Sequence, residues 1–419
     1  MTTSSQHKPA RARAGLSRRT FAAGIGAAGV LASTGTFSIG RAQAGGLKVG
    51  VLLPRSGVQA GIGQDCQRGV EITAGILKDL GLPDLAIMNG DTESSPDVAR
   101  SRAERLISEG AQLLVGAFDS GQSTAIAQVA EQKGIPFIIN IAAAPPITEQ
   151  GYKFVFRNFP IAPVILGDAF TNQKELFAAA GTHPKSVAFM HVNDTFGSAM
   201  QGGISGVMPR HNMPYTIAET IAYDPAARDL SVEVAKAKAT GAEALLVVSR
   251  LNDAILLTRE LVKQRWTPMA VLSMGPGWYE DQYFKTLGKL SDGPLSFVPW
   301  YDPSKKLSKQ LEAALAKAHP GINLNTNHIY TFEALLVAAD AYKRAGSTDP
   351  KALADAIRAT NITDNVSTGP GIRFNEKGQN DKLSNSAIQN RDGKLVTVAP
   401  KAIANATLQW PLPAYDKRG

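Results

Sequence analysis

The side chains best placed for chemistry in this sequence are two hydroxyls where an apolar strand meets a helix. Ser120 and Ser123 lie in the segment 119–124 (DSGQST), which follows the apolar run 113–117. Hydroxyls and unpaired N–H groups at the start of a helix bind anions. Ser120 also suits the N-cap position of that helix, and one residue can serve both purposes. The segment is therefore a candidate anion site.

Other kinds of chemistry lack support in the sequence. The string 24–29 (GIGAAG) matches a dinucleotide fingerprint, but no strand precedes it and no acidic residue follows at about twenty residues. The six histidines have no metal-site spacing, and there is no Walker loop and no Gly-x-Ser-x-Gly elbow. Cys66, the single cysteine, lies on a helical face, where a thiol usually packs without reacting. We therefore predict no enzyme, no cofactor and no metal.

The N-terminal 44 residues predict export. A basic stretch precedes Arg18-Arg19, the apolar run 22–39 is rich in small residues, and Ala42-Gln43-Ala44 closes it. This is the pattern of a bacterial signal peptide, and the paired arginines favour the twin-arginine route. The run is too weakly apolar for a good membrane span. We predict cleavage after about Ala44 and a soluble periplasmic product.

The charge of the whole chain is misleading. The leader carries six basic residues and no acidic one, so its removal takes the net charge from +8 to +2. A nearly neutral mature chain gives no reason to expect nucleic acid as a partner. Its length favours two domains, and a lone cysteine allows no internal disulfide.

Strand and helix patterns alternate from residue 47 onward, which is typical of parallel α/β sheets. The segment around Gly110 and its following strand recurs around Gly241, and the segment at Pro136 recurs at Pro268. The two offsets, 131 and 132 residues, are nearly equal, which indicates two similar lobes in succession. After residue 294 the chain no longer fits a simple repeat, and we expect it to cross back and complete both lobes. A ligand would lie in the cleft at the carboxyl ends of the strands.

Ten short segments follow one another in a family-like order. They are 47–57, 91–96, 108–116, 120–124, 133–136, 151–157, 193–197, 299–302, 346–350 and 374–380. Together they resemble the periplasmic solute-binding proteins of the branched-chain amino acid (Leu/Ile/Val-binding) type, which serve ABC importers. The last segment, FNEKGQN, is the most specific of them, and the likeness covers 47–419.

The resemblance implies an α/β fold with two Rossmann-like lobes joined by three crossovers, the type I periplasmic binding protein fold. It places 47–160 and 298–366 in lobe 1, and 161–297 and 367–419 in lobe 2. It also implies a monomer that captures a small molecule, delivers it to an ABC permease in the inner membrane and performs no reaction on it. A ligand-sensing module for a membrane receptor is an alternative that the same fold permits.

The resemblance also implies which residues contact the ligand. Ser120 and Ser123 should face a carboxylate. At Ala143 the amino acid binders usually have a hydroxyl, but the N–H groups of Ala142 and Ala143 can still donate. The remaining candidates are the cleft walls Ile62, Phe196 and Trp278.

Two positions depart from the amino acid binders. Gly277 stands where the family has an acidic residue that matches the ligand's ammonium, and burying an ammonium without a counter-charge is unfavourable. Arg250 follows the apolar segment that ends at Val248 and suits a carboxylate through a bidentate pair, although a salt bridge with Asp253 or a neighbouring acid is an equal alternative. We therefore predict a small organic acid without a free amine, aromatic acids included. The alternative is a branched-chain or other apolar amino acid, with Asp253, Glu280 or another acid as the amine partner.

Overall fold

The computed structural model describes residues 46–418, so the predicted leader lies outside the described part of the chain. The strands are β1 (Leu47–Leu53), β2 (Leu85–Asp91), β3 (Leu113–Gly116), β4 (Phe137–Ile139), β5 (Val155–Arg157), β6 (Ser186–Val192), β7 (Thr216–Tyr223), β8 (Ala244–Val248), β9 (Val271–Ser273), β10 (Leu295–Pro299), β11 (Asn385–Arg391) and β12 (Lys394–Ala399). The helices are α1 (Ala60–Asp79), α2 (Pro96–Ser108), α3 (Ser120–Lys133), α4 (Ala162–Ala180), α5 (Thr195–His211), α6 (Ser231–Ala239), α7 (Leu251–Lys263), α8 (Asp281–Leu287), α9 (Lys306–Ala318), α10 (Thr326–Ala345) and α11 (Pro350–Arg358).

The strands form two sheets with the same parallel core. The first sheet has the order β2-β1-β3-β4-β5 and is parallel throughout. The second has the order β7-β6-β8-β9-β10 in its parallel part, and the antiparallel strands β11 and β12 extend it. Strands 1 to 5 and 6 to 10 therefore take matching places, which confirms the repeat predicted from the sequence.

The central strands are buried along their whole length because helices cover both faces of each sheet. Every residue of β3 and of β8 is buried, as parallel sheets require. Gly110 and Gly241 precede these two strands at matching helix ends, and both have positive φ, +98° and +70°. A left-handed residue at that point suits glycine, so the same turn directs each chain segment into its central strand.

The chain crosses between the sheets three times. It leaves the first sheet after β5, returns after β10 to the helices α9–α11, and leaves again before β11. Helices α9 and α10 pack on α1, whereas α4 packs on β10 and β11. The three crossovers and the two α/β lobes agree with the predicted fold.

The limits of the lobes remain a proposal. Gln379 pairs with Arg157 at the edge of the first sheet, which favours a final crossing after about residue 380 rather than at 366. Just before Gln379, Gly378 N–H donates to Asn375 O and closes a turn.

Across residues 46–418, no helix has both the length and the apolar character that crossing a membrane would require.

Candidate functional site

A cavity lies where the carboxyl ends of the two sheets face each other. About 480 Å³ of space without protein atoms lies between the lining residues, part of it open to solvent. Its wall on the first-sheet side is formed by Phe118, Asp119, Ser120, Ile141, Ala142, Ala143 and Phe159. The opposite wall is formed by Ile165, Phe196, Arg250, Met274, Gly275, Pro276, Tyr279, Val298 and Pro299, and Thr326 at the start of α10 completes the lining. Most of these side chains are apolar, so the cavity suits a ligand with an apolar body.

Hydrogen-bond donors are concentrated at the start of α3 and in the loop after β4. Asp119 caps α3, since its Oδ1 accepts from Gly121 N at 2.9 Å and Gln122 N at 3.1 Å. Ser120 Oγ accepts from Ala144 N at 3.3 Å, which leaves the hydroxyl proton of Ser120 free to donate. Within residues 46–418, the N–H groups of Ala142 and Ala143 have no protein acceptor. These donors line one wall of the cavity and suit an anion.

Arg250 lines the cavity, but its terminal nitrogens bind protein carboxylates. Nη2 contacts Asp119 Oδ2 at 2.6 Å, and Nη1 contacts Asp194. The guanidinium also lies 5.2 Å from the ring centroid of Phe196. Burial alone would lower the pKa of Arg250, yet Asp119 and Asp194 hold that pKa above its usual value.

Of the two predicted roles of Arg250, a ligand carboxylate contact or a salt bridge with Asp253 or a neighbouring acid, the structure shows a salt bridge, with Asp119 and Asp194 as its partners. In the structure Asp253 accepts from the backbone N–H of Arg250 at 2.9 Å, as part of the cap of α7. The side chain instead joins the two lobes, because Asp119 lies on the first-sheet side and Arg250 on the second.

Three other predicted contact residues lie away from this cavity. Ile62 is 1 % exposed and packs in the core, because it falls inside helix α1 and not in a loop. Ser123 is fully buried behind the first turn of α3, and its Oγ accepts from Ala117 N at 3.4 Å. Trp278 is also buried, with its Nε1 donating to Ser249 Oγ at 2.7 Å. The structure therefore brings together Ser120, Ala142, Ala143, Phe196 and Arg250 from the predicted set.

Tyr279 lines the cavity in place of its neighbour Trp278. Several other lining residues were not predicted, among them Phe118, which precedes the predicted anion segment. Tyr279 and Phe118 both follow strand ends, so adjacency to β3 and β9 was an available signal. Val298 and Thr326 come from the stretch after residue 294, where the sequence gives no sign of nearness to the cleft.

Gly277 is required by packing. A Cβ atom there would lie 2.3 Å from the carbonyl oxygen of Arg250 and 2.9 Å from the Cβ of Ala254. The backbone therefore leaves no room for an acidic side chain at this position. Residue 277 is not available to bind an ammonium group.

We expect Gly277→Ala to lower the free energy of unfolding by about 1–3 kcal/mol, because a buried methyl group would force the backbone of Arg250 to move. Gly75→Ala is the matched control. Gly75 is exposed within α1, and a methyl group added there would meet no atom within 4 Å outside its own helix turn, so alanine should stabilise by about 0.5–1 kcal/mol. Urea denaturation of both variants checks this, and equal stability of the two would contradict it.

Glu280 lies at a separate pocket that also borders Asp65 and Arg68. Glu280 Oε1 accepts from Asn327 Nδ2 at 2.8 Å, and its carboxyl shares a hydrogen bond with Asp65. Burial, and then the charge of Asp65, raises the pKa of Glu280 well above its usual value. The raised pKa favours the protonated form of Glu280, and Glu280 does not line the main cavity.

Neither a reactive thiol nor a metal-binding cluster is found among the described residues. Burial raises the pKa of the Cys66 thiol, which leaves it unreactive in the core. Across residues 46–418, no group of three or more His, Cys, Asp or Glu side chains could hold a metal ion.

The family described as "Periplasmic binding protein" matches residues 46–389. The chain belongs to the periplasmic binding protein family. It is a solute-binding protein of the kind that serves ABC transporters and is not an enzyme, and membership implies export to the periplasm.

Known relatives agree with this assignment. The Leu/Ile/Val-binding protein homolog 8 of Brucella abortus (strain 2308) is 26 % identical over 406 residues, which is 92 % of this chain and 98 % of that protein. The fold matches the leucine-binding protein LivK of Thermotoga maritima, with a TM-score of 0.73 and 21 % identity, over 84 % of this chain and 98 % of that one.

Two further solved structures hold different ligands. A solute-binding protein from Rhodopseudomonas palustris in complex with benzoate has a TM-score of 0.72 and 20 % identity, over 86 % of this chain and 99 % of that one. The substrate-binding protein LivJ of Streptococcus pneumoniae in complex with isoleucine has a TM-score of 0.71 and 16 % identity, over 85 % of this chain and 100 % of that one. These likenesses establish the fold and leave the ligand open.

Proposed function

We propose that this protein captures a small organic acid without a free amine, aromatic acids included, and delivers it to an ABC permease. The observation that carries the proposal is the composition of the cavity wall. It combines donors for a carboxylate, at Ser120 and the N–H groups of Ala142 and Ala143, with apolar walls, and the described residues that line it include no free carboxylate for an ammonium.

Each acidic residue that could bind an ammonium has another partner. Asp119 binds Arg250 at 2.6 Å, Asp253 caps α7, and Glu280 pairs with Asp65 outside the cavity. A buried ammonium would therefore lack a counter-charge, at a cost of several kcal/mol. The R. palustris relative that binds benzoate supports the same conclusion, because its fold accommodates an aromatic acid.

A branched-chain amino acid is the second candidate. It is favoured by the relatives named as Leu/Ile/Val-binding proteins and by the isoleucine complex of LivJ. In this chain it would require Asp119 to exchange Arg250 for the ligand's ammonium.

Isothermal titration calorimetry of the leaderless protein separates the candidates. We expect benzoate or 4-methyl-2-oxopentanoate to bind at least about 100-fold more tightly than leucine, because the ammonium would be buried unpaired. The keto acid has the carbon skeleton of leucine, so this pair differs only at the amine-bearing carbon. Tight binding of leucine without a response to either acid would overturn the proposal.

The twin-arginine route of export also belongs to the proposal. It is supported by Arg18-Arg19 and the small-residue apolar run that follows. Replacing both arginines by lysine should block export of a folded reporter fused after Ala44. Continued export would favour the general secretory route.

A further inference from the structure

Arg157, at the end of β5, is a buried cation directly behind the donor wall of the cavity. It is 0 % exposed, and protein oxygens accept from each of its three nitrogens. Nε donates to Gln379 Oε1 at 2.6 Å, and Nη2 donates to Thr148 Oγ1 at 2.6 Å. Nη1 donates to two carbonyl oxygens of the loop after β4, Ala142 O at 3.0 Å and Ala144 O at 2.7 Å.

None of these partners is a carboxylate. The acidic residue whose charge acts on the pKa of Arg157 is Glu149, which lies exposed at the surface. Burial lowers the pKa of Arg157 to about 9, so the guanidinium is still charged at neutral pH. A buried charge without a counter-ion is destabilising, and its presence here needs a compensating anion or a function.

The peptide group between Ala142 and Ala143 lies between the Arg157 guanidinium and the cavity. The C=O of Ala142 and the N–H of Ala143 belong to one peptide group, and in a trans peptide they point in opposite directions. Because the C=O of Ala142 points to Arg157, the N–H of Ala143 points away from it. Ala142 and Ala143 line the cavity, and the N–H of Ala143 has no acceptor within residues 46–418.

The residues that line the cavity do not supply the positive charge that a ligand carboxylate needs. Among the described residues that line it, Arg250 is the only cation, and it is shared between Asp119 and Asp194. Both terminal nitrogens of Arg250 bind these protein carboxylates, so neither is available to an incoming carboxylate. The positive charge that an acid requires must therefore come from behind the wall.

We propose that Arg157 is the positioning residue for the ligand's carboxylate, fixing and polarising the Ala142–Ala143 peptide so that its N–H binds an anion. The inference rests on the proposed function, since it assumes that the ligand is an acid. It assigns the selectivity for acids over neutral analogues to a residue that never touches the ligand.

The test compares the affinities of benzoate and benzamide, which have the same shape and differ in charge. In Arg157→Gln, the preference for benzoate should fall at least about tenfold, because charge-assisted hydrogen bonds are about twice as strong as neutral ones. Thr148→Asp and Thr148→Asn form a matched pair that leaves Arg157 in place. The aspartate would neutralise the guanidinium at Nη2 and should lower the preference, whereas asparagine has nearly the same shape and should leave it intact.

The outcomes are distinct. A wild type without a preference for benzoate overturns the proposed function, and this inference with it. A wild type with that preference, shared by Arg157→Gln and Thr148→Asp, overturns only the inference. Equal losses in Thr148→Asp and Thr148→Asn also overturn it, because the effect would then come from packing. If Arg157→Gln does not fold, the pair at Thr148 decides alone.

Discussion

Arg250→Ala is expected to raise the dissociation constant for benzoate at least about 100-fold and to leave the lobes apart in solution. Arg250 joins Asp119 of one lobe to Asp194 of the other, and its side chain is 8 % exposed. Removing one partner of a buried ion pair costs about 3–5 kcal/mol, because the remaining carboxylates lose their counter-charge. Opening the cleft returns Asp119 and Asp194 to water. The substitution therefore reduces the free energy of closure and not the free energy of folding.

Calorimetry and small-angle X-ray scattering check this expectation together. The radius of gyration of the variant in saturating benzoate should stay at its ligand-free value, whereas that of the wild type should decrease. Arg105→Ala is the matched control, because Arg105 forms an exposed pair with Glu109 at 2.7 Å on a helix surface, where such pairs contribute little. If Arg250→Ala still closes around benzoate, the ion pair is not what holds the lobes together.

The fold could be predicted from the sequence because its signals are local and repeated. The alternation predicted from residue 47 begins where β1 does, and the offsets around Gly110 and Gly241 indicated the two similar lobes that the sheets form. The start of α1 is harder to predict, since Ala60, Gly61 and Gly63 give a weak helix signal. Tertiary packing decides there, because the Cβ of any larger residue at Gly63 would lie 2.0 Å from Pro54 O.

The site could be predicted only in part. Ser120, Ala142 and Ala143 follow strand ends in one lobe, and topology alone brings strand ends to one edge of a sheet. The partners of Arg250 could not be found this way, because Asp119 and Asp194 lie 131 and 56 residues away from it in sequence. Which of two neighbours faces the cleft is equally hidden, as Trp278 and Tyr279 demonstrate. Such choices depend on the angle between lobes, which no local pattern encodes.

A second contact between the lobes depends on a proton. Asp65 on α1 and Glu280 before α8 share a hydrogen bond, in which the acid of Glu280 donates to the carboxylate of Asp65. Burial lowers the pKa of His328 to about 4, so this neighbour is neutral at pH 7 and the positive charge beside Asp65 is that of Arg68. Asp281 adds further negative charge near Glu280.

The direction of the pH effect follows from these pKa shifts. Burial and Asp65 raise the pKa of Glu280 in the closed form, whereas in an open cleft it would return toward the usual value near 4.3. Closure therefore binds a proton. The free energy that this proton contributes to closure is fully present below the open-form pKa of Glu280 and is lost as the pH rises through the closed-form pKa. The pH effect of Asp65 on closure has the opposite sign. Because the pKa of Asp65 is lowered below 3.8, this effect occurs at more acidic pH.

The affinity for benzoate should accordingly fall with rising pH, by up to about tenfold per unit between the open-form and the closed-form pKa of Glu280, and should level off above the closed-form pKa. Glu280→Gln should abolish this dependence, because its amide can donate to Asp65 at every pH and can still accept from Asn327. Glu109→Gln removes an exposed carboxylate of the same type and should leave the pH profile unchanged. Titrations between pH 5 and 9 measure all three proteins, and an unchanged slope in Glu280→Gln would mean that another group takes up the proton. Such a proton would make capture of an acid stronger at acidic pH, because the protonated form of Glu280 favours closure.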